Sequence, residues 1–149
     1  KSKRPVPKAN QAEMRLSEAR ELRRIIEERL KADPNANLMV VGDLNDTQDQ
    51  PPIRTLLGSK APKLVDLRPC ELNGDRALHP QSAKFIQRRV AWTSFYWKED
   101  SYSRFDYLIA SAGMNRELRR EGTLVHAMDD WGLASDHRLV VGEFFAEER

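Results

Sequence analysis

The first residues that could carry chemistry are Asp43 and Asn45, which follow the apolar run 38–41 and Gly42. A continuous apolar run of this length is typical of a strand buried on both faces. The ends of such strands are where α/β proteins place their ligands. Side chains alternate along a strand, so both residues would point the same way if the strand continued that far. Asx residues also form turns, and a plain turn is the alternative interpretation of this pair.

A second polar segment, Ser135-Asp136-His137, precedes the apolar run 139–145. It brings a carboxylate and a titratable imidazole to the entrance of a predicted strand. The alternative is a polar loop that carries a surface histidine.

A third acid, Asp106, lies inside the otherwise apolar and aromatic segment 104–110. A carboxylate in such a strand needs a partner or a raised pKa. Two partners remain open: Arg104, two residues away on the same strand face, and His137, whose tautomer the acid would fix.

The elements that must position these residues alternate between helix and strand, as in α/β proteins. A helix is predicted over 11–32, because apolar residues recur there every three or four positions. They are Met14, Leu16, Ala19, Leu22, Ile25, Ile26 and Leu30. The remaining predictions are a loop over 1–10, a short helix over 52–57, a brief strand or turn over 64–67, an irregular segment over 69–82, strands over 90–97, 104–110, 122–128 and 139–145, and a helical turn over 114–119.

The composition narrows the function classes. The net charge is +2, from 25 Lys and Arg against 23 Asp and Glu, which does not indicate a dedicated nucleic-acid binder. Glutamates interleave the basic residues of 15–29 and 116–120, so both stretches are predicted to be solvated helix faces. No apolar stretch approaches the ~20 residues of a membrane span. The single cysteine, Cys70, rules out an internal disulfide and is compatible with a cytosolic setting. One cysteine and three scattered histidines give no zinc-ligand spacing.

Together, Gly42-Asp43-Leu44-Asn45, Arg104-Phe105-Asp106-Tyr107 and Ser135-Asp136-His137 resemble, in order, three motifs of the endonuclease/exonuclease/phosphatase superfamily, whose fold is called DNase I-like. The resemblance extends from Lys1 to Phe145. It implies an α/β chain that forms part of a layered sandwich, with two stacked sheets and helices outside in the complete domain.

The resemblance also implies a role for each residue. Asp43 would act as general base on the attacking water, and Asn45 would donate to the phosphoryl oxygens. His137 would bind a phosphoryl oxygen and would be oriented by Asp106. Asp136 would approach a divalent metal, Mg²⁺ or Mn²⁺, which suits carboxylate oxygen. The expected activity is metal-dependent hydrolysis of a phosphoester. Members of the family cleave nucleic acids, phosphoinositides, sphingolipids and nucleotides, so the substrate stays open. Trp97 and Tyr102 could stack on bases or serve as core or rim aromatics.

The family's N-terminal half supplies a metal-binding Glu, an Asn and a His that have no counterpart here, and 1–4 resembles the residues just after that His. Residues 1–149 are therefore predicted to be the C-terminal portion of one domain, impaired as an enzyme alone. The expected partners are the N-terminal portion, a phosphoester substrate that could be nucleic acid, and a second copy of the chain through self-association. The competing class is a non-catalytic half-domain that acts as an interaction or folding module.

Overall fold

The computed structural model describes residues 8–73, 88–126 and 128–146. Helices and small antiparallel sheets are mixed along these residues, so the fold class is α/β, as the sequence predicts. In chain order the elements are α1 (Lys8–Ala32), β1 (Met39–Asp43), α2 (Pro51–Leu57), β2 (Val65–Asp66), β3 (Glu71–Asn73), β4 (Arg88–Val90), β5 (Ser94–Tyr96), β6 (Ser101–Ser103), β7 (Asp106–Ala110), α3 (Ala112–Arg116), β8 (Leu118–Val125) and β9 (Val140–Phe144).

Helix α1 confirms the predicted periodicity but differs from the prediction in two respects. It begins at Lys8, inside the predicted N-terminal loop, while residues 1–7 lie outside the described residues. Its buried side includes Ala19, Ile26 and Leu30, whereas Met14 and Ile25 are exposed. The prediction that all its basic residues are solvated is wrong for Arg23, which is 8% exposed.

Arg23 is buried because it lies on the same helix side as the apolar residues and finds polar partners there. Its guanidinium donates to the carbonyl oxygens of Leu56, at 3.0 Å, and Pro62, and to the Glu27 carboxylate at 2.9 Å. It thereby ties α1 to α2 and to the segment that follows α2. Gly58 ends α2 with a φ of +75° beside this guanidinium, where a Cβ would collide with it.

The site lies on a three-stranded antiparallel sheet of order β1-β7-β2. One face packs against α1 and α2 through a buried cluster that includes Ile26, Ile53, Tyr107 and Ile109. The other face carries Leu108 and Ala110, which form a second cluster with residues of β9. Apolar side chains thus cover both faces of β7, and burial of this apolar surface stabilises the strand that holds Asp106.

Strand β1 is not buried on both faces, contrary to the prediction. Val40 packs against the helical cluster, but Val41 is 57% exposed. The reason is its place in the sheet, where β1 lies at the edge among the described strands. Met39 reaches the second cluster, whereas Val41, two residues further along the same face, lies outside it.

Several other predicted boundaries shift. The strand predicted over 90–97 is interrupted, since β4 ends at Val90 and β5 begins at Ser94. The irregular segment predicted over 69–82 contains β3, and its part from residue 74 onward lies outside the described residues. Strand β6 was not predicted, and β8 begins four residues before the predicted strand. None of the described helices has the length and apolar character needed to cross a bilayer.

Candidate active site

The ends of β1 and β7 bring two acids side by side. Asp43 and Asp106 are direct partners in the antiparallel register. Side chains of directly opposed residues share one face of the sheet, with Cβ atoms about 4.5–5.5 Å apart. Like charges in this arrangement repel each other, so the strand ends favour a cation or a hydrogen-bond donor beside them.

His137 supplies that donor. Its Nδ1 lies 2.7 Å from Oδ2 of Asp106, which confirms the predicted contact. The alternative partner, Arg104, is bound elsewhere: its guanidinium makes an ion pair of 2.6 Å with Asp66 and lies over the Tyr107 ring. The structure therefore decides between the two partners that the sequence left open.

The electrostatics of His137 reflect this setting. Partial burial by itself would lower the pKa of His137, but the hydrogen bond with Asp106 and the charges of Asp106, Asp43 and Asp136 outweigh it. The pKa of His137 therefore lies above its ordinary value. Three nearby carboxylates thus favour an imidazolium, which donates from Nδ1 to Asp106.

Backbone contacts fix the segment that carries His137. The residue forms an isolated antiparallel bridge with Ser94, at the start of β5. Its own N–H donates to Oγ of Ser135 at 3.0 Å. The next residue, Arg138, is buried, and its guanidinium lies over the Trp92 ring and pairs with Glu71. The residues before and after His137 are thus fixed in place, which restricts the position of the imidazole.

Thr93 joins this segment to β7. Its side-chain oxygen accepts the N–H of Phe105 at 3.1 Å and the N–H of Asp106 at 3.2 Å. Its carbonyl oxygen accepts the N–H of Arg138 at 2.7 Å. Thr93 lies outside the three sequence motifs, at the start of the aromatic, β-branched run 93–97.

Asn45 and Asp136 lie at the edge of the site. The strand ends at Asp43, so the period-two argument does not reach Asn45, which has a φ of +52°. The Asn45 N–H donates to Oδ1 of Asp43 at 2.9 Å, which is the Asx turn of the alternative interpretation. Both side chains of this turn are exposed, as is Asp136 in the loop before His137. Such exposure leaves the three side chains accessible to a ligand.

A cleft of about 600 Å³ adjoins the histidine. Asp106 and His137 are part of its wall, and the rest is largely apolar. Val41, Leu133 and Leu139 in this wall are exposed. Apolar lining beside a polar pair is typical of small-molecule and substrate sites.

An aromatic cluster lies next to this cleft and shares Trp131 with its wall. Strands β5 and β6 form a hairpin in which the rings of Phe95 and Tyr102 stack with centroids 4.6 Å apart. Trp92 contacts Tyr102 at 4.9 Å and Trp131 at 5.2 Å, both edge to face. Trp97 follows β5 and is 72% exposed, with the Lys98 amine 5.5 Å from its ring centroid. The hairpin thus presents aromatic surface to solvent close to the histidine.

The site offers few donors for a metal ion. Within residues 8–73, 88–126 and 128–146, no three Asp, Glu, His or Cys side chains are grouped to hold one. Mg²⁺ keeps several waters, however, and usually takes only one or two carboxylates. The exposed carboxylates of Asp43 and Asp136 fit that requirement and do not form a closed cage. His126 is exposed, Cys70 is half-buried with a free thiol, and His79 lies outside the described residues.

Comparison with known proteins agrees with the geometry. The profile of the Endonuclease/Exonuclease/phosphatase family matches residues 8–137, and the chain belongs to this family. Membership indicates, in general terms, a phosphoester hydrolase of the nuclease or phosphatase type. Searches among curated proteins and among solved structures gave no match.

Proposed function

We propose that the protein hydrolyses phosphoesters with the help of a divalent metal ion, at the ends of β1 and β7. The observation that carries the proposal is the Asp106–His137 hydrogen bond of 2.7 Å, directly beside the exposed carboxylate of Asp43. A histidine–carboxylate pair next to a second acid supplies a charged donor and a base within one site.

Each residue has a distinct task in this proposal. The exposed Asp43 carboxylate accepts a proton from the attacking water as general base. The imidazolium of His137 donates from Nε2 to a phosphoryl oxygen, where negative charge develops. Asp106 fixes the orientation of the ring through Nδ1. The exposed amide of Asn45 donates to a second phosphoryl oxygen.

Asp136 is the proposed metal ligand, with Asp43 as the second nearby carboxylate. When bound, Mg²⁺ or Mn²⁺ would neutralise charge on the phosphoryl oxygens. The support for this assignment is the donor chemistry, since both groups are exposed carboxylates within electrostatic reach of His137.

The test is hydrolysis of bis(p-nitrophenyl) phosphate at saturating Mg²⁺ by the full-length protein and two of its variants, and every later assay uses the same protein. Asp43→Ala and His137→Ala should each reduce turnover about 10²–10⁴-fold, because each removes a positioned base or donor. His126→Ala is the matched control, since this histidine is exposed and lies outside the site. Near-normal turnover in either site variant would refute these roles. A folded full-length protein without any hydrolysis would favour the non-catalytic interaction module.

Nucleic acid is the substrate class that the aromatic hairpin supports. Exposed aromatic rings bind unstacked bases, at about 1–3 kcal/mol per base. Trp97→Ala should therefore weaken binding of a short single-stranded oligonucleotide while leaving hydrolysis of bis(p-nitrophenyl) phosphate unchanged. Met14→Ala, which removes an exposed apolar side chain on α1, is the control. Equal oligonucleotide affinity in Trp97→Ala and wild type would argue against nucleic acid.

The family resemblance also supports a layered sandwich in the complete domain. Val41, Leu133 and Leu139 line the cleft and are exposed, and a second sheet packed against the cleft would bury them. We infer that an N-terminal portion of the domain supplies that cover. Sedimentation velocity of the 149-residue chain should accordingly show self-association or poor folding. A monodisperse monomer with a cooperative melting transition would contradict this inference.

A further inference from the structure

We propose that Thr93 is a positioning residue that holds Asp106 and His137 at hydrogen-bonding distance. This inference rests on the proposed function of that pair. It concerns a residue outside the three sequence motifs, whose side chain reaches no reacting atom and acts through the backbone.

Thr93 contacts two separate segments of the site, one at Asp106 and one directly after His137. Its side-chain oxygen accepts two backbone N–H groups, from Phe105 and from Asp106 itself, at 3.1 and 3.2 Å. Its carbonyl oxygen accepts the N–H of Arg138, the residue after the histidine, at 2.7 Å. One residue thus fixes the backbone of the acid and the backbone beside the imidazole.

The third segment of the site is linked to the same point. The carbonyl oxygen of Phe105 accepts the N–H of Leu44, the residue after Asp43, at 2.8 Å. A shift of Phe105 would therefore move both acids relative to the histidine. Thr93 is 1% exposed, so water cannot easily replace its hydroxyl as the acceptor for the two N–H groups.

Two further backbone contacts hold Thr93 and its neighbour in place. Its N–H donates to the carbonyl oxygen of Ser103 at 2.9 Å, and the adjacent Ser94 bridges to His137. Residue 93 keeps its own backbone hydrogen bonds when its side chain is replaced. A substitution can therefore remove the hydroxyl alone. That makes the side chain testable separately from the strand pairing.

The experiment compares Thr93→Val, which has nearly the same shape but no acceptor, with Thr93→Ser, which keeps the oxygen. Turnover of bis(p-nitrophenyl) phosphate by Thr93→Val should fall about 10- to 100-fold with little change in KM, since a displacement near 1 Å costs up to about 10²-fold. Thr93→Ser should restore near-wild-type kcat. Thr123→Val is the matched control, because Thr123 is also buried and its hydroxyl binds the Arg119 carbonyl oxygen at 2.9 Å in β8.

A second readout does not depend on activity. The proton shared by His137 and Asp106 should give a downfield nuclear magnetic resonance signal in the wild type, Thr93→Ser and Thr123→Val. The signal should be lost or moved upfield in Thr93→Val. Thr93→Cys, whose sulfur accepts hydrogen bonds weakly, replaces the valine variant if that variant does not fold.

The outcomes separate this inference from the proposed function. If Thr93→Val retains both the wild-type signal and the wild-type kcat, Thr93 is not a positioning residue. If the signal changes as expected but His137→Ala hydrolyses the substrate normally, the positioning inference holds and the catalytic proposal fails. If Thr123→Val loses as much activity as Thr93→Val, the effect is general destabilisation and the inference is overturned.

Discussion

Replacing Asp106 by asparagine isolates the charge of the acid that holds His137. The side chain keeps its size, but the carboxylate that accepts from Nδ1 becomes a neutral amide. An amide can accept from Nδ1 through its oxygen or donate to a neutral ring through its nitrogen, so it neither favours the imidazolium nor fixes one orientation of the ring.

The expected loss of kcat follows from the hydrogen bond between Asp106 and His137. A hydrogen bond that involves a charged group contributes about 1.5–3 kcal/mol. Asp106 and His137 are 20% and 25% exposed, so solvent weakens the interaction and the lower part of that range applies. At about 1.4 kcal/mol per tenfold change, Asp106→Asn should lower kcat about 10- to 50-fold.

The assay measures kcat and kcat/KM on bis(p-nitrophenyl) phosphate, with Asp33→Asn as the matched acid-to-amide control at an exposed turn. The double variant Asp106→Asn/His137→Ala adds a second criterion. If the acid acts only through the ring, the double variant should be no slower than His137→Ala alone. Normal turnover in Asp106→Asn, or fully additive losses in the double variant, would refute the assigned role.

Three further predictions follow from the described contacts. Arg23→Met should lower the free energy of unfolding by about 2–4 kcal/mol in urea titrations, because the buried carbonyl oxygens that it serves lose their donor; the exposed neighbour variant Arg24→Met should stay within about 0.5 kcal/mol of the wild type. Tyr107→Phe should cost about 1 kcal/mol at neutral pH, because it removes the hydrogen bond from the hydroxyl to the Asp46 carbonyl. Burial raises the pKa of Tyr107 above its ordinary value of 10.0. The hydroxyl therefore stabilises the folded protein fully below pH 10, and this stabilisation is lost as pH rises through the pKa of the folded state. A stability difference between wild type and Tyr107→Phe that grows above pH 10 would contradict this expectation. Chelation should abolish hydrolysis and Mg²⁺ should restore it, while Asp136→Ala should raise the Mg²⁺ concentration for half-maximal activity about 10-fold or more; unchanged activity in excess chelator would exclude the metal.

The amino-acid sequence by itself determined the local features. The three- and four-residue apolar spacing specified α1, and the apolar run before Gly42 specified β1. The three motifs indicated which acids and which histidine belong to one site. The helix and strand predictions succeed because periodicity depends on neighbours within a few residues of each other.

Only the tertiary structure decided which partner each side chain takes. Asp106 is hydrogen-bonded to His137 and not to Arg104, because Arg104 forms an ion pair with Asp66, from which it is 38 residues away in the sequence. Arg23 is buried because two carbonyl oxygens beyond α1 face it, although half of the eight nearest residues in the sequence are charged. Val41 is exposed because it lies on the edge strand β1 and the apolar cluster on that face does not reach it. An apolar run in the sequence cannot reveal this. The contacts of Thr93 could not be predicted from the sequence, because only folding brings the two backbone N–H groups to its hydroxyl.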